Sequence, residues 1–353
     1  MLDQAIFTVT DFAMGVASDK VSRTVGRLGH WAAAITLLSC AAFVGLPFVA
    51  GAHLSPAALL VLIVIWAVTS SAMRAPPLML LGKYAAKTSI PFLASLAMVG
   101  LGVAGAIAPY LAMTLAKQDP RLPFVIASVA LVLTSLALSK VERGLAKDAP
   151  AKPEPPKTVD RSVPAPIIIF AFAILMFALG FQLHFFLNTA PRFKQFASDI
   201  GTLLPVFWIG FSVGMFPATR LAARWGGLPV MGLAGLIGAV AIVVMEYSGT
   251  LAVVVAAQLI AGAAWGCIMM SAFTAATSLG YPGHEGKTTG ILFSALALAT
   301  FARMATTATR TLNDPSLASL LHWAPIACWA VAGAALVFLS IAAIRQRTAR
   351  TRA

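Results

Sequence analysis

The chain has 353 residues, of which 59% are hydrophobic and only 10% are charged. Soluble domains carry about 25% charged residues, so this composition excludes an ordinary water-soluble domain. The net charge of +13 does not indicate a nucleic-acid partner, because the lysines and arginines stand at the ends of apolar runs and in the segments between them.

Apolar runs of about 20 residues recur from end to end, and each can cross a hydrocarbon core of about 30 Å. The period-two alternation of a transmembrane strand is absent from these runs, so we predict an all-α polytopic bundle. Eleven spans are predicted, at 2–18, 30–50, 57–81, 90–116, 122–140, 166–188, 201–221, 228–247, 251–279, 288–310 and 320–343.

A short polar segment, Gly15-Val-Ala-Ser-Asp19-Lys20-Val-Ser-Arg23, follows the first run. Gly15 lets two helices approach closely. Asp19 stands at the end of a predicted helix, where it can pair with a base or meet the N-terminus of a neighbouring helix. The alternative is an ordinary charged loop.

Two ionisable residues lie inside predicted spans at similar depths, Asp11 about 12 Å and Arg74 about 13.5 Å from the polar ends of their helices. Ionisable groups within the membrane are costly and indicate function. A buried carboxylate beside an arginine stays ionised, whereas one that has left it can take up a proton. The two residues therefore form a proton-coupling pair, or a static ion pair that fixes packing, or they do not touch. Prolines 76 and 77 predict a kink after Arg74, and an arginine at a kink can bind an anionic substrate group.

The fourth run contains Gly100, Gly102 and Gly105 and reaches Pro109. These glycines spell Gly-x-Gly-x-x-Gly, but a dinucleotide site would require a preceding strand and a βαβ unit. Inside a membrane helix, the spacing predicts close helix packing instead.

Residues 141–165 are rich in proline, lysine and acidic residues, which is typical of a solvated linker. The linker divides the chain into 1–140, with five spans, and 166–353, with six spans and a short basic tail.

Polar residues in the second part are candidate cavity-lining groups. His184 and Asn188, four residues apart, are predicted to share a helix face. Arg303, about 24 Å along its helix from Lys287, either lines a cavity or extends to the outer surface. The alternative for the residues near the outer end of the sixth span is a place among the lipid headgroups, and Glu246 is predicted to be solvated. The candidates are Gln182, His184, Asn188, Gln258 and Arg303.

Loop charges predict the orientation. If the segment 19–27 is cytoplasmic, 18 of the 25 lysines and arginines fall on the cytoplasmic side, five fall outside, and Arg74 and Arg303 lie within spans. Such a bias follows the positive-inside rule. We therefore expect the linker and the C-terminus in the cytoplasm.

The segment from Gly15 to Arg23 resembles the loop signature of the major facilitator superfamily, Gly-x-x-x-Asp-(Arg/Lys)-x-Gly-(Arg/Lys), with Ser22 in place of the second glycine. The linker between two halves and the arginine in the third run are also similar to features of that family. The run ending Ala108-Pro109 resembles its fifth-helix antiporter signature, which ends Gly-Pro. A second copy of the loop signature, at 214–227, keeps the glycines and the basic residues but lacks the acidic residue.

The resemblance implies a two-half helical bundle that carries a small solute by rocking of one half against the other. It aligns the first run with the family's second helix, so we expect the first helix to be absent, through a late start codon or natural truncation. The expected substrate is an anionic or polar organic molecule, with protons as a candidate coupling ion and export as the favoured direction, in the inner membrane of a bacterium. The alternative is a facilitator-like scaffold or assembly factor.

No catalytic or phosphate-binding motif occurs, and the three cysteines, Cys40, Cys267 and Cys328, lack metal-ligand spacing. We therefore predict no enzyme activity, no cofactor, no metal and no disulfide.

Overall fold

The computed structural model describes residues 1–25, 29–51, 55–86, 88–115, 118–148, 165–279, 285–309 and 311–352. Within these ranges all regular structure is helical, as predicted. The helices are α1 (Leu2–Val25), α2 (Gly29–Gly51), α3 (Pro56–Tyr84), α4 (Ile90–Leu115), α5 (Leu122–Asp148), α6 (Ala165–Leu183), α7 (Thr189–Lys194), α8 (Pro205–Trp225), α9 (Gly227–Tyr247), α10 (Leu251–Leu279), α11 (Glu285–Ala308) and α12 (Pro315–Arg352). A π-helical turn, His184–Asn188, joins α6 to α7, and a 3-10 turn, Thr311–Asn313, precedes α12.

Ten of these helical segments, counted over the described residues and with α6 to α7 taken as one, are long and apolar enough to cross a membrane. They correspond to ten of the eleven predicted spans. Helix α1 is the exception, because it carries Asp3, Asp11 and Asp19 among its apolar residues.

Several helices extend beyond their predicted ends. Helix α1 continues through Val25, so the polar segment from Gly15 to Arg23 is helical and not a loop. Helix α5 continues to Asp148, so the beginning of the predicted linker is helical, because residues 140–148 include good helix formers. The rest of the linker, 149–164, lies outside the described residues. Helix α3 continues without interruption through prolines 76 and 77.

The chain groups into two compact units, and the first comprises Met1–Ala85, Leu111–Val163 and Ala276–Leu298. Here α3 packs against α1 and α2, and α2 packs against α5. Phe7, Ala67 and Ala297 form a buried apolar cluster beside Trp66. Polar contacts also join these helices, since the Thr36 hydroxyl donates to Ser135 Oγ at 2.9 Å.

The second unit comprises Ala86–Tyr110, Pro164–Ala275 and Ala299–Ala353. Helix α12 packs against α6 and α9, and the buried Trp329 donates its indole N–H to the Phe177 carbonyl at 2.9 Å. Helices α8 and α10 touch backbone to backbone, because a Cβ at Gly210 would overlap the Leu259 carbonyl. Asp314 caps the start of α12, and hydrogen bonds from Ser316 hold the pKa of this carboxyl below its ordinary value.

Candidate functional site

Asp11 and Arg74 are in contact in the first unit. Arg74 Nη1 donates to Asp11 Oδ2 at 2.8 Å, and the guanidinium lies 3.9 Å from the centre of the Phe7 ring. The Asp11 side chain is 1% exposed and that of Arg74 is 31% exposed. Asp11 Oδ1 has no hydrogen-bond partner among the described residues, although it is buried. Asp11 and Arg74 thus form one ion pair through Oδ2, and the other carboxylate oxygen, Oδ1, accepts no hydrogen bond within the described residues.

Asp11, Gly15 and Asp19 follow one another at intervals of four residues, so they lie along one face of α1. Asp19 accepts the backbone N–H groups of Gly286 at 2.7 Å and Lys287 at 2.8 Å, at the N-terminus of α11. A Cβ at Gly15 would overlap the Gly286 carbonyl. The same face of α1 therefore carries the ion pair, a close helix contact and a helix cap.

Lys20 and Arg23 are the remaining charged residues of the polar segment. Lys20 is exposed, and the side chain of Arg23 lies outside the described residues.

Gln182 and Arg303 are joined in the second unit. Arg303 Nε donates to Gln182 Oε1 at 2.8 Å, and Gln182 Nε2 donates to Thr300 Oγ1 at 3.0 Å. The guanidinium lies 4.6 Å from the centre of the Phe186 ring. Arg303 therefore turns toward α6. We call Gln182, Phe186, Thr300 and Arg303 the Arg303 cluster.

His184, Thr189 and Gln258 form a second, fully buried cluster. His184 Nε2 and Gln258 Oε1 are 2.9 Å apart, and Gln258 Nε2 donates to Thr189 Oγ1 at 3.2 Å. His184 Nδ1 has no partner among the described residues. The tautomer that donates through Nε2 satisfies the Gln258 carbonyl.

His184 and Asn188, predicted to share a helix face, contact two different helices. The turn between them is π-helical, and Asn188 Nδ2 reaches the His322 carbonyl of α12 at 3.0 Å while His184 contacts α10.

Aromatic rings lie beside the two clusters, with Phe207 next to His184 and Phe185 next to Phe186. Phe181 stacks on Trp265 with centroids 4.5 Å apart, and Phe185 lies 4.8 Å from Phe207 and 5.5 Å from Trp208. The polar groups of Gln182 and Arg303 thus stand beside an apolar, aromatic wall.

A further polar group was missed by the sequence analysis. Glu246 was predicted to be solvated, but its side chain is 8% exposed, and its Oε2 lies 3.3 Å from His322 Nε2. Beside it, Arg192 donates to the carbonyls of Met245 and Ser248. The sequence shows only that these charged residues stand near helix ends, and no local pattern indicates which of them are in contact.

The glycines of α4 differ in their surroundings. A Cβ at Gly102 would overlap Ser212 and one at Gly105 would overlap Trp208, both in α8. A Cβ at Gly100 would meet no atom within 4 Å, so Gly100 makes no close approach. Pro109 lies inside α4, which continues past it.

No group of three or more potential metal-binding side chains occurs among the described residues, and each of the three cysteines is a free thiol.

Comparisons with known proteins agree on the fold. A family model described as Major Facilitator Superfamily matches residues 4–304. A bacterial homologue of the iron transporter ferroportin, solved in an outward-facing state, matches with a TM-score of 0.73 and 14% identity, covering 96% of this chain and 89% of that one. A search of curated protein sequences gave no match.

Two other solved structures are similar. The E. coli fucose:proton symporter matches with a TM-score of 0.67 and 13% identity over 96% of this chain and 90% of that one. The proton:xylose symporter XylE matches with a TM-score of 0.62 and 13% identity over 96% of this chain and 83% of that one. At such identities these structures show a common fold and nothing further.

Proposed function

This chain belongs to the major facilitator superfamily, a family of membrane transporters and not of enzymes, and we propose that it carries a small organic anion across the inner membrane of a bacterium by proton-coupled alternating access. In this proposal the halves 1–140 and 166–353 rock against each other about a site reached from alternate sides. The cytoplasmic linker 141–165 joins them.

The orientation of Arg303 is the observation that carries the proposal. Arg303 Nε donates a hydrogen bond to Gln182 Oε1, and Gln182 Nε2 in turn donates one to the Thr300 hydroxyl, which fixes the direction of the arginine. The two terminal nitrogens of the guanidinium make no hydrogen bond within the described residues, so they remain available as a fork. A guanidinium fork matches a carboxylate, sulfonate or phosphate oxygen pair.

The surroundings of Arg303 favour an anion with an apolar body. Phe186 lies under the guanidinium, and the rings of Phe185 and Trp208 continue the wall. Flat apolar groups bind such walls through offset or edge-to-face contacts. His184, Asn188 and Gln258 are further candidate contacts, as polar groups that fix orientation in a largely apolar site.

We assign proton coupling to Asp11 and Arg74. A buried carboxylate beside an arginine keeps its charge, and separation of the two would leave Asp11 to take up a proton. Movement of α1 would cause that separation, because the face that carries Asp11 also contacts α11 through Gly15 and Asp19. The likeness of α4 to the antiporter signature favours export as the direction.

The test is transport by the purified chain in vesicles that contain a pH-sensitive dye. The added solutes are benzenesulfonate as an aromatic anion, gluconate as an aliphatic anion and glucose as a neutral molecule. We expect the anions, and benzenesulfonate most, to drive proton movement. The Asp11→Asn variant should lose proton movement and retain anion binding, whereas Asp3→Asn, on the same helix, should behave as the unmodified protein.

Unchanged proton movement in Asp11→Asn would overturn the coupling assignment. If the folded chain neither binds nor moves any of these solutes, the transport proposal gives way to the facilitator-like scaffold or assembly factor.

A further inference from the structure

Two apolar grooves lie on the surface of the second unit. The larger, of about 850 Å³, lies between α6, the turn from α8 to α9, and α12. The smaller, of about 450 Å³, lies between α9 and α10 and is lined only by alanine, valine, leucine and isoleucine. Because these helices span the membrane, both grooves are accessible to lipid chains.

The larger groove differs in having a polar end. Arg224 and Trp225 line it there, whereas Ile169, Leu233 and Leu336 line its apolar length. Helix α8 ends at Trp225, so Arg224 and Trp225 stand at a helix end. Tryptophan is enriched at the level of the lipid headgroups, and arginine binds phosphate through its guanidinium fork.

The charge on Arg224 has no partner in the described part of the chain, where it makes neither an ion pair nor a hydrogen bond. Ser340, the other polar residue of the lining, uses its hydroxyl to donate to the Leu336 carbonyl of its own helix. An unpaired cation at the end of an apolar groove is complementary to a molecule with an anionic head and an apolar chain. Basic pockets between transmembrane helices at the cytoplasmic surface bind anionic headgroups, and the predicted orientation places Arg224 on that side.

We propose that the larger groove is a binding site for an anionic phospholipid, with the phosphate on Arg224, the headgroup region beside Trp225 and an acyl chain along Ile169, Leu233 and Leu336. The lining of this groove includes none of Asp11, Arg74 and Arg303, and the proposal does not depend on which solute the protein carries. Its occupant contributes to the stability of the second unit by covering apolar surface that detergent covers less specifically.

The experiment compares phosphatidylglycerol with phosphatidylcholine of the same acyl chains. The purified protein is equilibrated with an equal mixture of the two, and bound lipid is counted by native mass spectrometry. Arg224→Ala removes the proposed phosphate contact. Its matched control is Arg220→Ala, which removes an exposed arginine one turn earlier on the same helix. Arg220 has no ion-pair or hydrogen-bond partner among the residues that the structure describes, and it lies outside the groove lining.

A second pair of variants tests the groove itself and keeps the proposal testable if Arg224→Ala does not fold. Leu233→Trp fills the larger groove, and Val240→Trp fills the smaller one, which has no charged lining residue. We expect the unmodified protein to retain phosphatidylglycerol about fivefold over phosphatidylcholine, because both lipids carry the phosphate but the choline cation of phosphatidylcholine opposes the positive charge of Arg224. Arg224→Ala and Leu233→Trp should lose this preference, whereas Arg220→Ala and Val240→Trp should keep it.

Equal retention of the two lipids by the unmodified protein would overturn the proposal. So would a preference that survives Arg224→Ala and Leu233→Trp, or one that Arg220→Ala removes equally. A dimer that Leu233→Trp dissociates would assign the groove to a second copy of the chain instead.

Discussion

Asp11 and Arg74 differ in exposure, at 1% and 31% of their side chains, so the two halves of their ion pair are not equivalent. Arg74→Ala would leave a buried carboxylate without a counter-ion, which costs about 3 kcal/mol. Asp11→Asn leaves an arginine that the Phe7 ring still stabilises, and we expect it to cost about 1 kcal/mol. In detergent, the thermal unfolding temperature of Arg74→Ala should therefore lie well below that of Asp11→Asn.

The double variant Asp11→Asn with Arg74→Ala is the control for that comparison. It should recover part of the stability that Arg74→Ala loses, because the buried charge is gone. If the two single variants lose equal stability and the double variant recovers none, burial of the Asp11 carboxylate does not determine the stability of the pair.

The Arg303 fork predicts a difference between arginine and lysine. Arg303→Lys keeps the charge but loses the planar pair of donors and the hydrogen bond to Gln182. We expect binding of benzenesulfonate to weaken about tenfold, since a charge-assisted hydrogen bond contributes about 1.5 kcal/mol. Isothermal titration measures the change. Arg220 is exposed on α8, so the control variant Arg220→Lys should bind benzenesulfonate as the unmodified protein does. If Arg303→Lys also binds it equally well, the guanidinium fork of Arg303 does not bind the anion.

Among the elements, α4 offers two glycines with opposite surroundings. Gly105→Ala would place a methyl group against the Trp208 ring of α8, and such overpacking costs about 1–3 kcal/mol. Gly100→Ala, on the same helix, adds a methyl group where no atom lies within 4 Å. It should be neutral or slightly stabilising, because alanine is the better helix former. Thermal unfolding should show a loss of stability in Gly105→Ala and none in Gly100→Ala, and an equal loss in both would contradict the close packing of α4 on α8.

The contact of α1 with α11 predicts a local effect. Asp19→Ala removes the acceptor of the Gly286 and Lys287 amides, and loss of such a cap costs about 1 kcal/mol. Hydrogen exchange at the first turn of α11 should then accelerate about fivefold to tenfold, with little change at α12. Asp119→Ala, which removes a carboxylate that accepts from Arg121 N, is the control and should leave α11 unchanged.

For the whole molecule, the apolar runs and their lengths were enough to predict the all-α bundle, since hydropathy and span length obey the same constraint in every membrane helix. Equal depth in the membrane also singled out Asp11 and Arg74 as candidates to meet. Partners such as Gln182 with Arg303, or Glu246 with His322, could not be predicted, because no local pattern relates residues so far apart in sequence. The π turn at His184 is likewise absent from any local signal.

The orientation of the whole molecule is a prediction of loop charge alone. Of 25 lysines and arginines, 18 would face the cytoplasm if the segment 19–27 does. Because positive loops resist translocation, the C-terminus should stay inside, and the turn at Asp119, between α4 and α5, should lie outside. A phosphatase that is active only outside the cell should be active when inserted after Asp119 and inactive when fused after Arg352. The same reporter inserted in the linker 149–164 is the internal control and should match the C-terminal fusion. Phosphatase activity at the C-terminus and none after Asp119 would show that the chain has the opposite orientation in the membrane. Arg224 would then lie in the outer leaflet.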